Sequence, residues 1–360
     1  MIMKELEIQE IFDAFDHKYE FLSANELDSG HINDTYLVHT DGEEDYILQR
    51  INHIVFKDVP GLVQNKAAVS MHIRAKLSHL PKEQLKRKVL SFVKAKNSEL
   101  YYYKEGTNYW NMMVYINDSY THEVVEDKQI AYEGGKLFGE FLNLTSDFDA
   151  AQLTEVIPKF HDMSYRFRQY ALSIQGAPKD RLVKAGDYIR LIDELKEEMH
   201  LLQRLKENEK IPIRVTHNDT KISNALFDLN NKGLCVIDTD TVMPGIVHYD
   251  FGDAIRTICN TAAEDEKNLD LVSFNLEYYK AYVKGFLKKM RASLSPIELQ
   301  HLPLAAKTMI FIMAIRFLTD FLNGDVYYKT TYPEHNLDRS KNQFKLIESL
   351  SSQFEEMKIE

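Results

Sequence analysis

Residues 214–226 read Arg214-Val-Thr-His-Asn-Asp-Thr-Lys-Ile-Ser-Asn-Ala-Leu226, and the reading of the whole chain turns on them. His217, Asp219 and Asn224 stand in the pattern H-x-D-x-x-x-x-N. An aspartate so placed can take the proton of an attacking hydroxyl, and an asparagine five residues on can turn its amide oxygen to a magnesium ion. The histidine would hold the loop's backbone. Lys221, two residues past the aspartate, can reach a transferred phosphoryl group as a point charge. Apolar runs flank the loop (Ile211 to Val215 and Ala225 to Phe227), so it lies between buried segments. Three residues in such a pattern also arise by chance in a polar turn, so a second signal is needed.

That signal lies downstream. Leu234-Cys-Val-Ile-Asp238 reads as a buried strand ending in a carboxylate, 19 residues after Asp219 and 14 after Asn224. The interval is a short hairpin's worth of chain, the same spacing that separates the catalytic from the metal-binding aspartate in protein kinases. Asp250-Phe-Gly252 spells a kinase-like triplet too, but it stands 31 residues from Asp219 and opens a helix-like stretch. We therefore read Asp238 as the metal ligand and Asp250 as a cap or loop anchor.

Several further stretches, in order along the chain, complete a recognisable set. They are Gly30-His-Ile-Asn-Asp-Thr-Tyr-Leu-Val38, Phe160-His-Asp162, Val236 to Gly245, Asp250 to Arg256, Glu264 to Lys267, Gly324 to Tyr327 and Tyr332 to Asn336. With the loop at 214–224, they make the chain resemble the aminoglycoside phosphotransferase/choline kinase superfamily, and within it the N-acetylhexosamine 1-kinases. The loop specifies only the superfamily. The Thr-Asp-Thr-Val-Met-Pro-Gly and Tyr-Pro-Glu-His-Asn stretches are more particular.

The resemblance implies an α+β, protein-kinase-like, two-lobed fold. A small N-terminal lobe with an antiparallel sheet (1–120) would bind nucleotide, and a larger, mainly helical lobe (121–360) would carry catalysis and substrate. It also implies ATP and magnesium as cofactors and a small-molecule sugar as acceptor. The arginine and tyrosine matching Arg316 and Tyr327 contact the N-acetylhexosamine in that family, and the two lie eleven apart here. Asp240 would assist the metal through water or face the sugar. Choline, an aminoglycoside, homoserine or another sugar is the alternative acceptor, and a nucleotide-binding pseudokinase is the alternative class.

On the nucleotide side, residues 30–35 form a turn with a single glycine, so Gly30, His31 and Ile32 make no glycine-rich motif. Backbone N–H groups there and Thr35 could cradle phosphates, although an ordinary turn between strands reads equally well. The strand Tyr-Ile-Leu-Gln49 has the shape of the kinase strand that ends in a phosphate-binding lysine, with glutamine in its place. The helix after it, Gly61 to Leu80, holds no acidic residue. The usual Lys–Glu pair is missing from both sides, and Arg50 and Lys221 are the candidates for the missing charge. Met113-Val-Tyr-Ile-Asn117 leads out of the sheet, and the backbone of Tyr115 and Asn117 would meet adenine.

Arg316 interrupts the apolar helix Met309 to Phe317, so it is either buried against a partner such as Asp320 or a ligand donor. His161-Asp162 reads as a stacked histidine and a helix cap, ahead of a turn at Tyr165 to Phe167. Tyr332 to His335 reads as a loop-fixing element, and Glu264 to Glu266 as a charge cluster at a helix start. Helices are expected at 4–17, Ile130 to Leu144, Tyr188 to Leu205, Leu271 to Leu287, from Ser295, and from Pro333 to about Met357.

Composition sets limits. The 360 residues carry 44 basic and 55 acidic side chains, a net charge of −11, which disfavours a nucleic-acid or anionic-membrane surface. Two cysteines make no disulfide or metal framework and fit a cytoplasmic protein. The longest purely apolar run, Met309 to Ile315, has seven residues, and the acidic start lacks a signal-peptide core. The expected protein is cytoplasmic, with no membrane or nucleic-acid partner. Nothing in the chain sets its oligomeric state, with a monomer as the working expectation.

Overall fold

The computed structural model describes residues 5–27 and 32–359. Gly30 and His31 lie outside the described residues. The chain opens with helix α1 (Glu5–Phe12) and strands β1 (Phe21–Leu27), β2 (Asp34–Thr40) and β3 (Tyr46–Ile51). Helices α2 (Val59–Lys76) and α3 (Lys82–Lys88) follow, then β4 (Phe92–Val93), β5 (Tyr102–Lys104), β6 (Asn108–Val114) and β7 (Ser119–Tyr120). Helices α4 (Lys128–Leu144), α5 (Met163–Gly176), α6 (Lys179–Met199) and α7 (Leu201–Glu207) lead to β8 (Arg214–Thr216), β9 (Ala225–Asp228) and β10 (Gly233–Val236). The chain ends in α8 (Val247–Ile258), α9 (Leu276–Met290), α10 (Pro296–Gln300), α11 (Leu302–Leu322) and α12 (His335–Ser352). This is an α+β, protein-kinase-like fold.

Two compact units divide the chain. The first holds Met1–Thr121, Leu144–Pro158 and Ala225–Pro244; the second holds His122–Asn143, Lys159–Asn224 and Gly245–Glu360. The first unit is built on an antiparallel sheet in the order β1-β2-β3-β6-β4, with β5 also on β6. Neighbouring residues of a strand face opposite ways, and β6 uses both faces. Met112 and Trp110 join a core with Ile8, Ile11 and Phe12 of α1, while Met113 joins Leu90, Leu234 and Cys235 on the other side. The second face is thus covered by the β9–β10 hairpin, whose β9 also pairs with β7. Asp58 caps α2 by accepting the Gly61 N–H at 3.0 Å, with Pro60 in the first turn.

The second unit is helical around α11, which is buried on nearly every side. By length and composition α11 could cross a bilayer, but 83% of its apolar window is buried inside the protein, as in a core helix. Close approach sets α4 on α9: a Cβ on Gly285 would lie 2.0 Å from the Tyr132 carbonyl oxygen, so only glycine fits.

Four local expectations are corrected. Tyr165 to Phe167 is the first turn of α5 rather than a loop turn; Asp162 accepts the Tyr165 N–H at 2.6 Å and starts that helix. The amphipathic stretch 188–205 is broken at His200 into α6 and α7. The last helix starts at His335, after Glu334 takes a left-handed conformation, and stops at Ser352. Glu264 to Glu266 is not a helix start: Asn268 caps a short 3-10 turn beyond it, Glu264 and Asp265 pair with Arg256 and His335, and Glu266 accepts the Asn268 N–H at 2.7 Å. Ser295 does cap α10, in a reciprocal capping box with Glu298.

Candidate active site

The loop at 217–224 leaves β8, and its strand is pinned first. Arg214 makes a two-pronged pair with Glu298, Nε to Oε1 at 2.8 Å and Nη2 to Oε2 at 2.9 Å. His217 is fully buried, edge-on to Phe138 and Phe141 at 6.2 and 5.8 Å. The loop backbone is then held from α8. The N–H groups of His217 and Asn218 donate to the two oxygens of Asp250, each at 2.7 Å. Three residues along the same helical face, Asp253 accepts the Thr220 N–H at 3.0 Å, and the Thr220 hydroxyl donates to the Asp250 carbonyl at 2.6 Å. Asp250 is therefore a loop anchor.

Asn218 sits in the left-handed region at φ 65°, which asparagine tolerates better than most residues. This reverses the chain just before Asp219, whose own N–H donates to His217 Nδ1 at 3.3 Å. Asn224 closes the turn, with its side-chain N–H₂ donating to the Asp219 carbonyl at 2.8 Å and carboxylate at 2.9 Å. With its nitrogen spent, the amide oxygen of Asn224 is the atom left for a cation. Lys221 Nζ lies 3.8 Å from Asp219 Oδ2, and the Asp219 side chain keeps about a third of its surface exposed.

Burial dominates the charges of the supports. It raises the Asp250 carboxyl to about 6, against the pull of His217 and the two backbone N–H groups. Burial also raises Asp253, opposed by Arg256, which bridges Asp253 at 3.0 Å and Glu264 at 2.6 Å.

The acceptor-side candidates share the second unit. The Arg316 guanidinium faces the rings of Phe160, Tyr328 and Tyr327 at 5.2, 5.6 and 5.9 Å. The pairing with Asp320 does not form. Asp320 is occupied by the N–H groups of Val326, Tyr327 and Tyr328 at 2.8–3.0 Å and by Asn336 at 2.8 Å. Asp320 and Asn336 thereby fix the loop that carries Tyr327.

Arg166 lies nearby, donating to the Phe160 carbonyl at 3.2 Å and to Gln169 at 2.8 Å. Burial and then Arg316 bring it down to about 10. Among the described residues neither arginine has a carboxylate partner. His161 packs against Phe160 and Tyr249 with its ring tilted to both rather than stacked, and burial, followed by Arg316, holds it well below its usual range and so neutral. His335 stacks on Tyr332 and bonds Asp265 at 3.1 Å, which makes Tyr332 to His335 a structural corner.

The first unit holds the other candidates. Asp238 ends the β10 strand in the left-handed conformation (φ 56°, ψ 54°), and a 3-10 turn, Thr239–Thr241, follows. Asp240 is buried and accepts from Asn33 and Lys66, so it is the centre of an internal cluster. Gln49 accepts from the same Lys66 ammonium at 3.2 Å. Arg50 is taken by Asp34 across the β2–β3 pair, Nε to Oδ2 at 2.6 Å. Thr35 pairs with Gln49 in the sheet, and Ile32 is exposed.

After β6 the Tyr115 N–H is used by the Asp45 carbonyl at 2.8 Å, and the Asn117 carbonyl accepts from Arg87 at 3.3 Å. Among the described residues, the Tyr115 carbonyl and Asn117 N–H have no partner, an acceptor and a donor two residues apart of the kind a purine edge needs. No cluster of three or more His, Cys, Asp or Glu among the described residues is placed for a metal. Magnesium beside phosphates uses only one or two protein ligands, fewer than such a cluster would hold.

Lys66 is the residue the sequence reading missed. Its signal was there: a lysine on the buried stripe of α2, with Leu62, Val63, Val69 and Ser70 at its helical neighbours, all buried.

Residues 23–282 match the family model described as the phosphotransferase enzyme family, and the chain belongs to that family. As a member of it, the chain is a phosphotransferase. Among solved structures it is similar to a microcompartment-associated aminopropanol kinase, at 15% identity over 98% of each chain with TM-score 0.62. It is also similar to a spectinomycin phosphotransferase bound to ADP and spectinomycin, at 12% identity over 99% of each chain with TM-score 0.59. An amicoumacin kinase bound to AMP-PNP and calcium follows, at 13% identity over 96% of this chain and 94% of that one, with TM-score 0.62. At these identities the likeness is one of fold.

Proposed function

We propose that the enzyme transfers the γ-phosphoryl group of ATP to the anomeric hydroxyl of an N-acetylhexosamine, giving the sugar 1-phosphate. The observation that carries the choice of acceptor is the pair Arg166 and Arg316. Two guanidiniums without carboxylates, set among Phe160, Tyr327 and Tyr328, repel an amine or quaternary ammonium and suit carbonyl and hydroxyl oxygens. Choline or an aminoglycoside would call for carboxylates at this place.

Asp219 orients the attacking hydroxyl and accepts its proton, with Asn224 fixing the carboxylate and Lys221 adding positive charge beside it. Asn224 and Asp238 are the candidate magnesium ligands, and a bound ion supplies charge neutralisation at the phosphates. The backbone of Tyr115 and Asn117 is the candidate adenine edge, and Thr35 and Ile32 border the phosphate turn. Most of the rate gain then comes from positioning and electrostatics. Cys235 and Cys259 are both free and buried, in keeping with a reducing cytoplasm.

The test is ADP release from ATP and magnesium with free N-acetylglucosamine, N-acetylgalactosamine, their methyl glycosides, choline and kanamycin. Release with the free sugars and silence with the glycosides is expected. Release only with choline or kanamycin would reject the sugar reading while leaving the phosphotransferase intact.

A further inference from the structure

Gln49 lies on β3 where the protein-kinase pattern has its phosphate-binding lysine, yet an ammonium is present beside it. It arrives from the helix: Lys66 Nζ on α2 lies 3.2 Å from Gln49 Oε1. The other partner of that ammonium is the Asp240 carboxylate, and the two side chains are 2% and 3% exposed. In the usual arrangement the strand carries the cation and the helix the carboxylate. Here the strand offers a neutral amide, the helix the cation, and the turn after Asp238 the carboxylate.

We propose that Lys66 is the cation of the nucleotide site, delivered from α2 instead of the strand, and that Asp240 is its fixed counter-ion and not a sugar ligand. The inference rests on the ATP-dependent reading above.

Geometry and chemistry both support this assignment. An ammonium has three N–H donors; Gln49 and Asp240 take two, which leaves one for a phosphate oxygen. The Phe92 ring lies 5.5 Å from Nζ and walls off one side. The helix is also locked onto the turn that carries Asp240. Asn65, next to Lys66, donates to the carbonyls of Thr154 and Val242 at 2.8 Å and accepts the Thr154 N–H at 3.0 Å. Asn33, which leads into β2, holds the second oxygen of Asp240 and accepts the Asn52 N–H at 2.8 Å. The cation is thereby tied to the strand, to the turn bearing Asp238 and to the segment entering β2. A buried lysine held only for packing would be replaced at little cost by an apolar residue together with its partner.

The experiment is steady-state kinetics and calorimetric binding of Mg–ADP on Lys66→Met, Asp240→Asn and the transposed double variant Gln49→Lys/Lys66→Gln. Lys66→Met should weaken Mg–ADP binding and raise the KM for ATP at least tenfold, with the sugar KM within twofold of the parent. The transposed variant should recover most of that loss, because the ammonium returns to the same place from the strand. A folded Lys66→Met protein with unchanged nucleotide affinity would overturn the assignment, as would Asp240→Asn raising the sugar KM alone. If Lys66→Met does not fold, the transposed protein decides: folded, but at least tenfold weaker toward Mg–ADP than the parent, it counts against the proposal. Failure of the parent enzyme to bind Mg–ADP at all would instead reject the ATP reading.

Discussion

Asn224 donates its side-chain amide to the carboxylate of Asp219 at 2.9 Å, across a turn that the same amide ties to the Asp219 carbonyl. The bond fixes the carboxylate's direction and points the amide oxygen away from it. Asp219→Ala should therefore lower kcat by about two orders of magnitude or more while leaving the KM for ATP within a few-fold. Its side chain is a third exposed and makes no buried ion pair, so the melting temperature should hardly move. Rates and a thermal melt on the same preparation check both halves.

The anchor behind the loop should report through pH. Asp250 titrates near 6 in the folded protein, and near ~4 once unfolded. Between those values the native state binds more protons, so this group's contribution to stability falls as pH rises from about 4 to 6 and is level above. Asp250→Asn cannot titrate. The difference in urea-unfolding free energy, parent minus variant, should drop by on the order of 2 kcal/mol from pH 4 to 7. A pH-independent difference would mean that Asp250 is not buried as described.

Arg316→Met removes a charge that satisfies no carboxylate. Stability should stay the same or rise slightly, because no buried acid is orphaned. The sugar KM should rise about ten- to a thousandfold, since a charge-assisted hydrogen bond and ring packing are lost together. An unchanged sugar KM with a collapsed melting temperature would make Arg316 structural.

Gly252 lies where α8 crosses α11. A Cβ there would come within 2.3 Å of the Ala305 carbonyl oxygen and 2.6 Å of Met309. Gly252→Ala should destabilise the fold by about 1–3 kcal/mol. Because Asp250 and Asp253 ride on the same helix, kcat should fall with it. A variant that melts like the parent would show that the two helices can part without cost.

What the sequence disclosed was local. The pattern at His217, Asp219 and Asn224 lies within eight residues, and the Ser295–Glu298 capping box within four, so spacing alone reveals them. Asp250 was separable from Asp238 because a helix-like context surrounds one and a strand precedes the other. What stayed hidden was long-range. Lys66 and Asp240 are 174 residues apart, and a search at the strand position could only find a lysine missing. Asp320 collects three backbone N–H groups from a loop beyond its own helix, which no periodicity announces. Asp162 was legible as a helix cap, whereas Tyr165 to Phe167 read as a turn and not as the first turn of that helix.

The most direct test is the ³¹P spectrum of the product formed from ATP and N-acetylhexosamine by the parent enzyme and by Asp219→Ala. The account predicts a sugar phosphate whose phosphorus couples to the anomeric proton, formed by the parent and lost in the variant. A phosphate on any other oxygen, or a variant that makes product at the parent's rate, would contradict it.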